Sequence, residues 1–281
     1  MPHEDSEYRR RALAWPALYG ERFRNLGAGT TIFGFGDGLF SGKANAATFL
    51  TQRSDSTGLE ATVTPSEALS AFDTAFDLTN PANWQGNIPF VTTNGTDEAM
   101  TTPDAAGWQH LLEAFSVVAW VNLTDATSMT IMSKYDLTTS ADAREWRLFC
   151  DASDKLNFEV YDETADAYIS RLYNTALSQN RWLHITATYD GGTASSGIKL
   201  YVNGAAVDDT TVEDGVFVTE RDTAALVRVG AIESTGGVAS LFFEGKLAGG
   251  PGGLTHVTAT ALTAAQVKND YRLMVHSMAL G

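Results

Sequence analysis

Cysteine is nearly absent from this sequence. Cys150 is the one cysteine among 281 residues, which excludes an intrachain disulfide, a common reinforcement of secreted domains. Long apolar runs are missing as well, and none approaches the roughly 20 residues that a membrane-spanning helix needs. The opening stretch, MPHEDSEYRRRALAWPALYG, lacks the apolar segment of a secretory signal peptide. We therefore expect a chain that folds in a cytoplasm and has no membrane partner.

Positive charge is scarce. Lysine and arginine number 19 against 34 aspartates and glutamates, which gives a net charge of −15 and a pI near 4.6. A polyanion repels phosphate backbones, so nucleic acid and anionic membranes are excluded as expected partners. We interpret the acidity as a means of keeping the protein soluble. Separately, 44% of the residues are hydrophobic, which is enough to form a sizeable core.

Motifs of common hydrolases and metal sites are also missing. No Gly-x-Ser-x-Gly occurs, and the five histidines form neither HExxH nor a paired zinc spacing. Glycoside cleavage usually needs two carboxylates that face one sugar. Asp151 and Asp154 fall in a predicted turn, and Glu159 and Asp162 are three positions apart, so the latter two do not share a strand face. Residues 34–38 are glycine-rich, as in a phosphate-binding loop. Such a loop needs a helix directly after it, and no helix start follows here, so we interpret these residues as a turn. The sequence therefore predicts no catalysis, no metal site and no cofactor.

What the sequence does contain is a series of short strands. Leu156–Tyr161 and Ile198–Val202 alternate at period two, whereas Phe115–Val121 is apolar on both faces, as in a central strand covered on both sides. Asn203-Gly204 between two such segments predicts a hairpin with a type I′ turn. Cys150 alternates with Trp146 and Leu148, which predicts a small core residue. This pattern predicts an antiparallel sandwich or jelly roll.

The stretch 184–190 poses the question of an active site most directly. One of its faces carries Ile185, Ala187 and Tyr189, and the other carries His184, Thr186 and Thr188. A lone histidine on a strand is typical of a polar face or of a core, and a ligand role for His184 is the alternative.

Helices are predicted at two places. Thr64-Pro-Ser-Glu67 is a capping box with proline at the first helical position, and it predicts a short helix over about 65–75. Thr263-Ala-Ala-Gln266 is a second capping box, and Val267, Tyr271 and Met274 follow on one stripe, which predicts a helix over about 264–277. Residues 1 to about 30 look irregular.

Several segments together resemble a known superfamily. In chain order they are Asn94–Asp97, Phe115–Val121, Ile131–Lys134, Trp182–Asp190, Leu200–Gly204, Val229–Ala231, Phe243–Gly245 and the run from Ala261 to Val267. Over about residues 88–281 the chain resembles the laminin-G-like, concanavalin A-like lectin/glucanase superfamily. The resemblance implies a mainly β fold, a two-sheet antiparallel jelly-roll sandwich. Trp182 and Tyr189 are then packing and rim aromatics.

The chain departs from the superfamily pattern at two points. Many relatives carry an acid after Phe-x-Gly that helps to hold calcium, but Ala248 stands there, which argues against that calcium. Asp97 and Glu98 are the remaining oxygen donors, with a solvated turn as the alternative. The glucanases carry a Glu-x-Asp-x-Glu run on one strand, and none occurs in this sequence. We therefore expect a non-catalytic member.

The first 87 residues form a predicted docking region, an arm with a short helix before the sandwich of residues 88–281. Its only basic cluster is Arg9-Arg10-Arg11, which is either a solvated arm or a contact for an acidic partner surface. Trp15, Tyr19 and Phe23 follow as candidate anchors for that partner, or for packing on the protein's own domain.

Three functions remain open. The first is a structural protein on the surface of a virion, as capsid decoration or tail component of a tailed bacteriophage, with other virion proteins as partners and a trimer as the expected homo-oligomer. The second is an extracellular or displayed lectin that binds a host-surface glycan through rim loops, with Tyr135, Asp136 and Tyr168 as candidate residues. The third is a glycosidase or lyase whose catalytic arrangement the sequence does not display.

Overall fold

The computed structural model describes residues 15–27, 30–35, 49–53, 59–63, 82, 84–102, 104, 108–137, 143–234, 238–249 and 253–278. Two α-helices lie in these residues, α1 (Trp15–Leu26) and α2 (Ala264–Ser277). The strands in chain order are β1 (Thr30–Phe35), β2 (Phe49–Arg53), β3 (Leu59–Val63), β4 (Trp84–Gln85), β5 (Ile88–Asn94), β6 (Met100–Thr102), β7 (Phe115–Leu123), β8 (Met129–Asp136), β9 (Ala143–Cys150), β10 (Lys155–Asp162), β11 (Ala167–Ala176), β12 (Trp182–Tyr189), β13 (Ile198–Val202), β14 (Ala205–Ala206), β15 (Thr210–Asp214), β16 (Val227–Val229), β17 (Ile232–Ser234), β18 (Val238–Ser240), β19 (Glu244–Ala248) and β20 (Thr255–Thr258).

The first sheet is centred on β7 and is antiparallel. Its order is β14-β13-β12-β7-β20-β1-β2-β3, and β19 joins β7 to β5, which pairs in turn with β4. Strands β7 and β12 pair along their whole length, from Trp182 opposite Asn122 to Tyr189 opposite Phe115. The prediction that Phe115–Val121 is a central strand is confirmed.

The second sheet has the order β15-β11-β10-β9-β8-β16-β6, and β17 and β18 attach beside β8. Its main pairs are antiparallel hairpins, so strands that follow one another in the chain lie side by side. The predicted two-sheet antiparallel sandwich of mainly β class is confirmed.

The core fills the space between the two sheets. Alternate residues of β7 and β12 meet alternate residues of β9 and β10, and the largest buried members are Phe115, Trp146, Phe158 and Tyr189. Cys150 is also buried in this core, as its alternation with Trp146 and Leu148 predicted. Tyr189 is fully buried in this core, and its hydroxyl donates to the carbonyl of Gly192 at 2.7 Å.

Two smaller apolar clusters lie on the outer face of the first sheet. Val118, Tyr201 and Val257 of the sheet pack with Leu26 of α1 and with Leu262 and Val267. Trp120 packs with Met274 and Met278, and Tyr271 of α2 stacks on the Trp120 ring at 5.7 Å. Both α-helices therefore cover the first sheet.

Helix α1 is a correction to the sequence analysis, because residues 15–26 were expected to be irregular. Arg22 holds this helix against the rest of the protein. Its Nε and Nη2 donate to the two carboxylate oxygens of Asp270 on α2, at 2.8 and 2.9 Å, and its Nη1 donates to the Gly253 carbonyl at 3.2 Å. His184 Nε2 lies 3.1 Å from Asp270 Oδ2, and all three side chains are fully buried. Residues 184–189 thus form a strand that is buried on both faces, with His184 in the interior.

The C-terminal helix and the hairpin follow the sequence prediction. Thr263 caps α2, and its hydroxyl and the Gln266 side chain form the predicted capping box. Asn203 and Gly204 have φ of +52° and +75°, as a type I′ turn requires. The helix predicted over 65–75 lies outside the described residues. Among the described residues, no helix is long and apolar enough to cross a membrane.

The described parts of the first 87 residues contact the sandwich. Strand β1 pairs with β20, from Thr30 opposite Val257 to Ile32 opposite Thr255, and β2 and β3 extend the same sheet edge. The division into an arm of residues 1–87 and a domain of residues 88–281 stays a prediction.

Candidate functional site

The outer side of the second sheet is the candidate site. Both α-helices of the described residues lie on the first sheet, so neither covers this side. Leu148, Phe158 and Ile169 point into the core, so the alternate residues of β9, β10 and β11 point outward. We call the outward side chains of β9, β10, β11 and β15 the open face. Adjacent strands are about 4.8 Å apart, so four strands span roughly 14 Å.

Strand register arranges the open face in three rows. The first row is Tyr161, Tyr168 and Asp214; the second is Arg147, Glu159, Ser170 and Val212; the third is Phe149, Asn157 and Leu172. Aromatic rings therefore lie in the outer two rows, and a charged pair lies between them.

The second row contains a tightly held ion pair. Arg147 donates from Nε and Nη2 to the two oxygens of Glu159, at 3.1 and 3.0 Å. Its guanidinium lies over the ring of Tyr135 at 4.6 Å and over that of Phe149 at 4.1 Å. The Tyr135 hydroxyl donates to Glu159 Oε1 at 2.9 Å. Burial acts to lower the pKa of Arg147, but the adjacent Glu159 charge outweighs it and the pKa is raised. The guanidinium is thus charged and fixed in position.

The first row is a stack of tyrosines. Tyr161 and Tyr168 are 6.0 Å apart with an interplanar angle of 18°, and Tyr135 meets Tyr161 edge-on at 6.1 Å. Arg144 lies over the Tyr161 ring at 4.0 Å, and the Tyr161 hydroxyl donates to Asp166. Tyr168 is half-buried, so part of its ring remains accessible.

The third row carries neutral groups. Phe149, Asn157 and Leu172 are half-buried, and Asn157 accepts a hydrogen bond from the Ser170 hydroxyl through Oδ1. Its amide nitrogen can donate to a bound molecule. The open face therefore offers two partly accessible rings, an amide and a fixed ion pair on one rigid sheet.

Comparison with known proteins assigns the fold to a family. The model of the concanavalin A-like lectin/glucanases superfamily matches residues 94–268. The chain belongs to this superfamily. The match spans both sheets of the sandwich and all three rows of the open face. A search of curated proteins found no match.

Solved structures with a similar fold include two glycan complexes. One is domain 4 of AbnA, a GH43 extracellular arabinanase from Geobacillus stearothermophilus, in complex with arabinotriose, with 17% identity, a TM-score of 0.45, and coverage of 66% of this chain and 81% of that chain. The other is the CBM40 of the Ruminococcus gnavus IT-sialidase bound to α2,3 sialyllactose, with 13% identity, a TM-score of 0.46, and coverage of 64% and 95%. At these identities the similarity concerns the fold.

The candidate residues of the sequence analysis lie near one another in this superfamily member. Tyr135 and Tyr168 share one cluster with Tyr161 and Ile232. Tyr135, however, is only 3% exposed, because Arg147 and Tyr161 cover its ring, so the prediction that it is an exposed platform is wrong. Asp136 is half-buried at the end of β8. Tyr168 is the member whose ring is accessible.

Apart from Tyr168, the sequence analysis missed the open-face residues, and five of them are central to the site. They are Arg147, Phe149, Asn157, Glu159 and Tyr161. Period-two alternation was the available signal, because it placed Trp146, Leu148 and Cys150 in the core and hence the residues between them outside. Arg9, Arg10 and Arg11 lie outside the described residues. The side chains of Trp15, Tyr19 and Phe23 are not described, so the predicted docking role of all six stays a prediction.

The candidate oxygen donors for calcium, Asp97 and Glu98, both accept hydrogen bonds from Asn94. Glu98 accepts from the Asn94 amide at 2.7 Å, and Asp97 accepts from the Asn94 side chain at 2.8 Å. Ala248 is buried. Within the described ranges, no group of three or more His, Cys, Asp and Glu side chains is placed to hold a metal ion.

A second group of titratable residues lies inside the sandwich. Lys134 contacts Glu145 and lies 3.2 Å from Asp104, and Thr223 donates to Glu145 from its backbone amide at 2.9 Å. Burial raises the pKa of Glu145 to about 7 and raises that of Glu220 well above its usual range. Both carboxyl groups are fully buried, so neither is accessible to a substrate in this conformation.

A polar pocket is lined by residues that are not part of the open face. It has a volume of about 260 Å³ and lies between the β7–β8 turn, the start of β19 and the turn after β5. Its lining includes Gly95, Asp125, Thr127, Phe242 and Glu244. The pocket shares no lining residue with the open face, and it is the alternative place where a ligand could bind.

Proposed function

We propose that this chain is a non-catalytic carbohydrate-binding protein whose open face binds a glycan. The observation that carries the proposal is the arrangement of Phe149 and Tyr168 on either side of the Arg147–Glu159 pair. Sugar rings have apolar faces that pack on aromatic rings and hydroxyl groups that need hydrogen-bond partners. The three rows supply both, on a sheet surface that no described helix covers.

Rigidity supports the same assignment. The Arg147 guanidinium is held by two hydrogen bonds and two rings, and Tyr161 is held by stacking and by Asp166. A surface that is ordered before binding loses little conformational entropy when a ligand arrives. Glu145 and Glu220, two carboxyl groups with raised pKa, are fully buried and inaccessible to a glycan on this face, which favours binding over hydrolysis.

Ring truncation tests the proposal. We expect Phe149→Ala and Tyr168→Ala each to weaken binding of oligosaccharides by about five- to 100-fold, in line with the energy of an aromatic contact. Phe242→Ala is the matched control, because Phe242 is half-buried like Phe149 but lines the separate pocket. Isothermal titration calorimetry on hits from a glycan array measures both. Loss of binding in Phe242→Ala alone would move the site to the pocket.

We also propose that the protein is displayed on the surface of a virion, as capsid decoration or tail component, with an extracellular lectin as the alternative setting. The supporting observation is the two-sided architecture. Helix α1 lies over the first sheet and is held to α2 by the Arg22–Asp270 pair, and the open face belongs to the second sheet. The basic residues Arg9 to Arg11 precede α1 in the sequence, with three residues between Arg11 and Trp15. They can engage another virion protein while the open face stays free.

Sedimentation tests this setting. The full chain is expected to sediment with particles of the native source at a fixed ratio to a major capsid or tube protein, and a form lacking residues 1–14 is expected to stay soluble. Equal co-sedimentation of both forms would contradict docking through Arg9 to Arg11. Light scattering checks the expected trimer, which would raise the avidity of weak glycan sites without adding any contact.

A further inference from the structure

We propose that the open face selects uncharged glycans and discriminates against anionic ones such as sialylated or uronic acid-containing chains. This inference rests on the proposed glycan-binding function and specifies its ligand class. The argument concerns how the cations of the open face are already engaged.

Arg147 is the central cation, and its charge is neutralised within the row. Two of its N–H groups, one on Nε and one on Nη2, donate to Glu159, which is itself only 4% exposed. Glu159 also accepts from Tyr135, so it is held by two residues. A sugar carboxylate would have to compete with a carboxylate that the fold places there. Competition of this kind removes most of the gain that a free arginine gives an anionic ligand.

Arg144 is the second cation near the first row, and it is engaged in the same way. It donates from Nε and Nη2 to the two oxygens of Glu163, at 2.8 and 2.7 Å, and also to Asp166 at 3.0 Å. Its own backbone amide donates to Glu163 Oε2 at 3.0 Å. Two carboxylates therefore surround one guanidinium, and this corner has a net negative charge.

Counted over the open face and the β10–β11 turn beside it, four acids (Glu159, Glu163, Asp166 and Asp214) lie among three bases (Arg144, Arg147 and Lys155). Asp166 is 79% exposed, and Asp214 is exposed at the end of β15, so their negative charges face solvent. Strand alternation places Lys155 on the same side, one step beyond the third row and at the far end from the tyrosines. The field at the aromatic rows is therefore negative, and the net charge of −15 adds to it.

The same groups suit neutral hydroxyls. Glu159 has accepted three hydrogen bonds of the roughly four that a carboxylate can accept, and the Arg147 guanidinium keeps N–H groups beyond the two that bind Glu159. Asn157 can donate from its amide nitrogen. A neutral sugar can satisfy each of these groups without breaking the ion pair, so the face matches hydroxyl groups better than carboxylates.

Paired ligands test this selectivity. Wild-type protein is titrated with neutral cello-, xylo-, arabino- and galacto-oligosaccharides and with anionic ligands, namely sialyllactose and oligogalacturonates, at low and high salt. We expect at least one neutral ligand to bind and the anionic ones to bind at least about tenfold more weakly, with a gap that narrows as salt screens the field. Equal or tighter binding of an anionic ligand would overturn the inference. Absence of binding in both panels would overturn the proposed function, and the selectivity with it.

Variants that are expected to gain affinity for anionic ligands provide a second test. Glu159→Gln removes the carboxylate but keeps the shape, so Arg147 becomes available and affinity for anionic ligands is expected to rise several-fold. Glu163→Gln, which releases Arg144, is a second variant in case the first unfolds, and thermal melting checks both. Glu244→Gln is the matched control, because it makes the same charge change at the separate pocket. No gain in either folded variant, or an equal gain in the control, would contradict the role of the engaged arginines.

Discussion

Arg22 on the first helix and Asp270 on the last helix form a fully buried ion pair with two hydrogen bonds, at 2.8 and 2.9 Å. Burial alone would raise the pKa of Asp270, but the charge of Arg22 and the contact with His184 hold it below its usual range. The two residues are 248 positions apart, so the pair joins the two ends of the described chain over the first sheet.

Breaking this pair is expected to be costly. Arg22→Ala leaves the Asp270 carboxylate buried without its main partner, which typically costs about 3–5 kcal/mol of unfolding free energy. Arg24→Ala is the control on the same helix, because Arg24 is exposed and such a change typically costs within about 0.5 kcal/mol. Urea denaturation measures both. Equal losses would show that α1 contributes no specific contact to the sandwich.

Glycine at position 245 is expected to be required for the close pairing of β19 with β7, and hence for stability. It has φ of +144°, and a Cβ there would lie 2.2 Å from the carbonyl oxygen of Asn122 on the neighbouring strand. Gly27 also has positive φ, +94°, but a Cβ there meets nothing within 4 Å. Gly245→Ala is therefore expected to lower the melting temperature clearly more than Gly27→Ala, whose cost is the backbone strain of about 1–2 kcal/mol. Similar shifts for the two variants would contradict the close approach of β19 and β7.

Stability is expected to fall as pH rises through the weakly acidic range because of Glu220. Burial, together with the nearby charge of Glu145, raises the pKa of Glu220 in the folded state, whereas the unfolded chain ionises near the ordinary value of 4.5. The folded state therefore keeps a proton that the unfolded state loses, and unfolding becomes easier as pH rises. Glu220→Gln removes this ionisable group. The unfolding free energy of the variant relative to wild type should therefore increase between pH 5 and pH 8. A constant difference across that range would contradict a protonated Glu220.

Buried histidines are expected to act in the opposite direction. Burial, and secondarily the charge of Lys134, lowers the pKa of His110 to about 3, against 6.5 for the ordinary side chain. The unfolded chain gains this proton first, so the stability contributed by neutral His110 is lost as pH falls from 6.5 toward 3. His110→Asn should make unfolding free energy less dependent on pH in that window. An unchanged slope would show that His110 takes up its proton without unfolding.

Local patterns predicted much of this fold because the relevant information was local. The capping box at Thr263, the turn at Asn203-Gly204 and the alternation around Trp146 each depend on neighbours in the chain. Helix α1 was missed because its contact with Asp270 is distant in sequence. Tyr135 was assigned to an exposed rim because its burial depends on Arg147, which crosses to it from the neighbouring strand. The rows of the open face could not be predicted, because they depend on how neighbouring strands are aligned. Alternation within one strand does not give that alignment.

The most direct test of the central claim is to map a neutral oligosaccharide onto the protein by chemical shift changes in NMR. The open-face assignment predicts that the resonances of Phe149, Asn157 and Tyr168 shift together during the titration, with those of Asp125 and Glu244 unchanged. Shifts confined to Asp125 and Glu244 would place the glycan in the polar pocket and contradict the account.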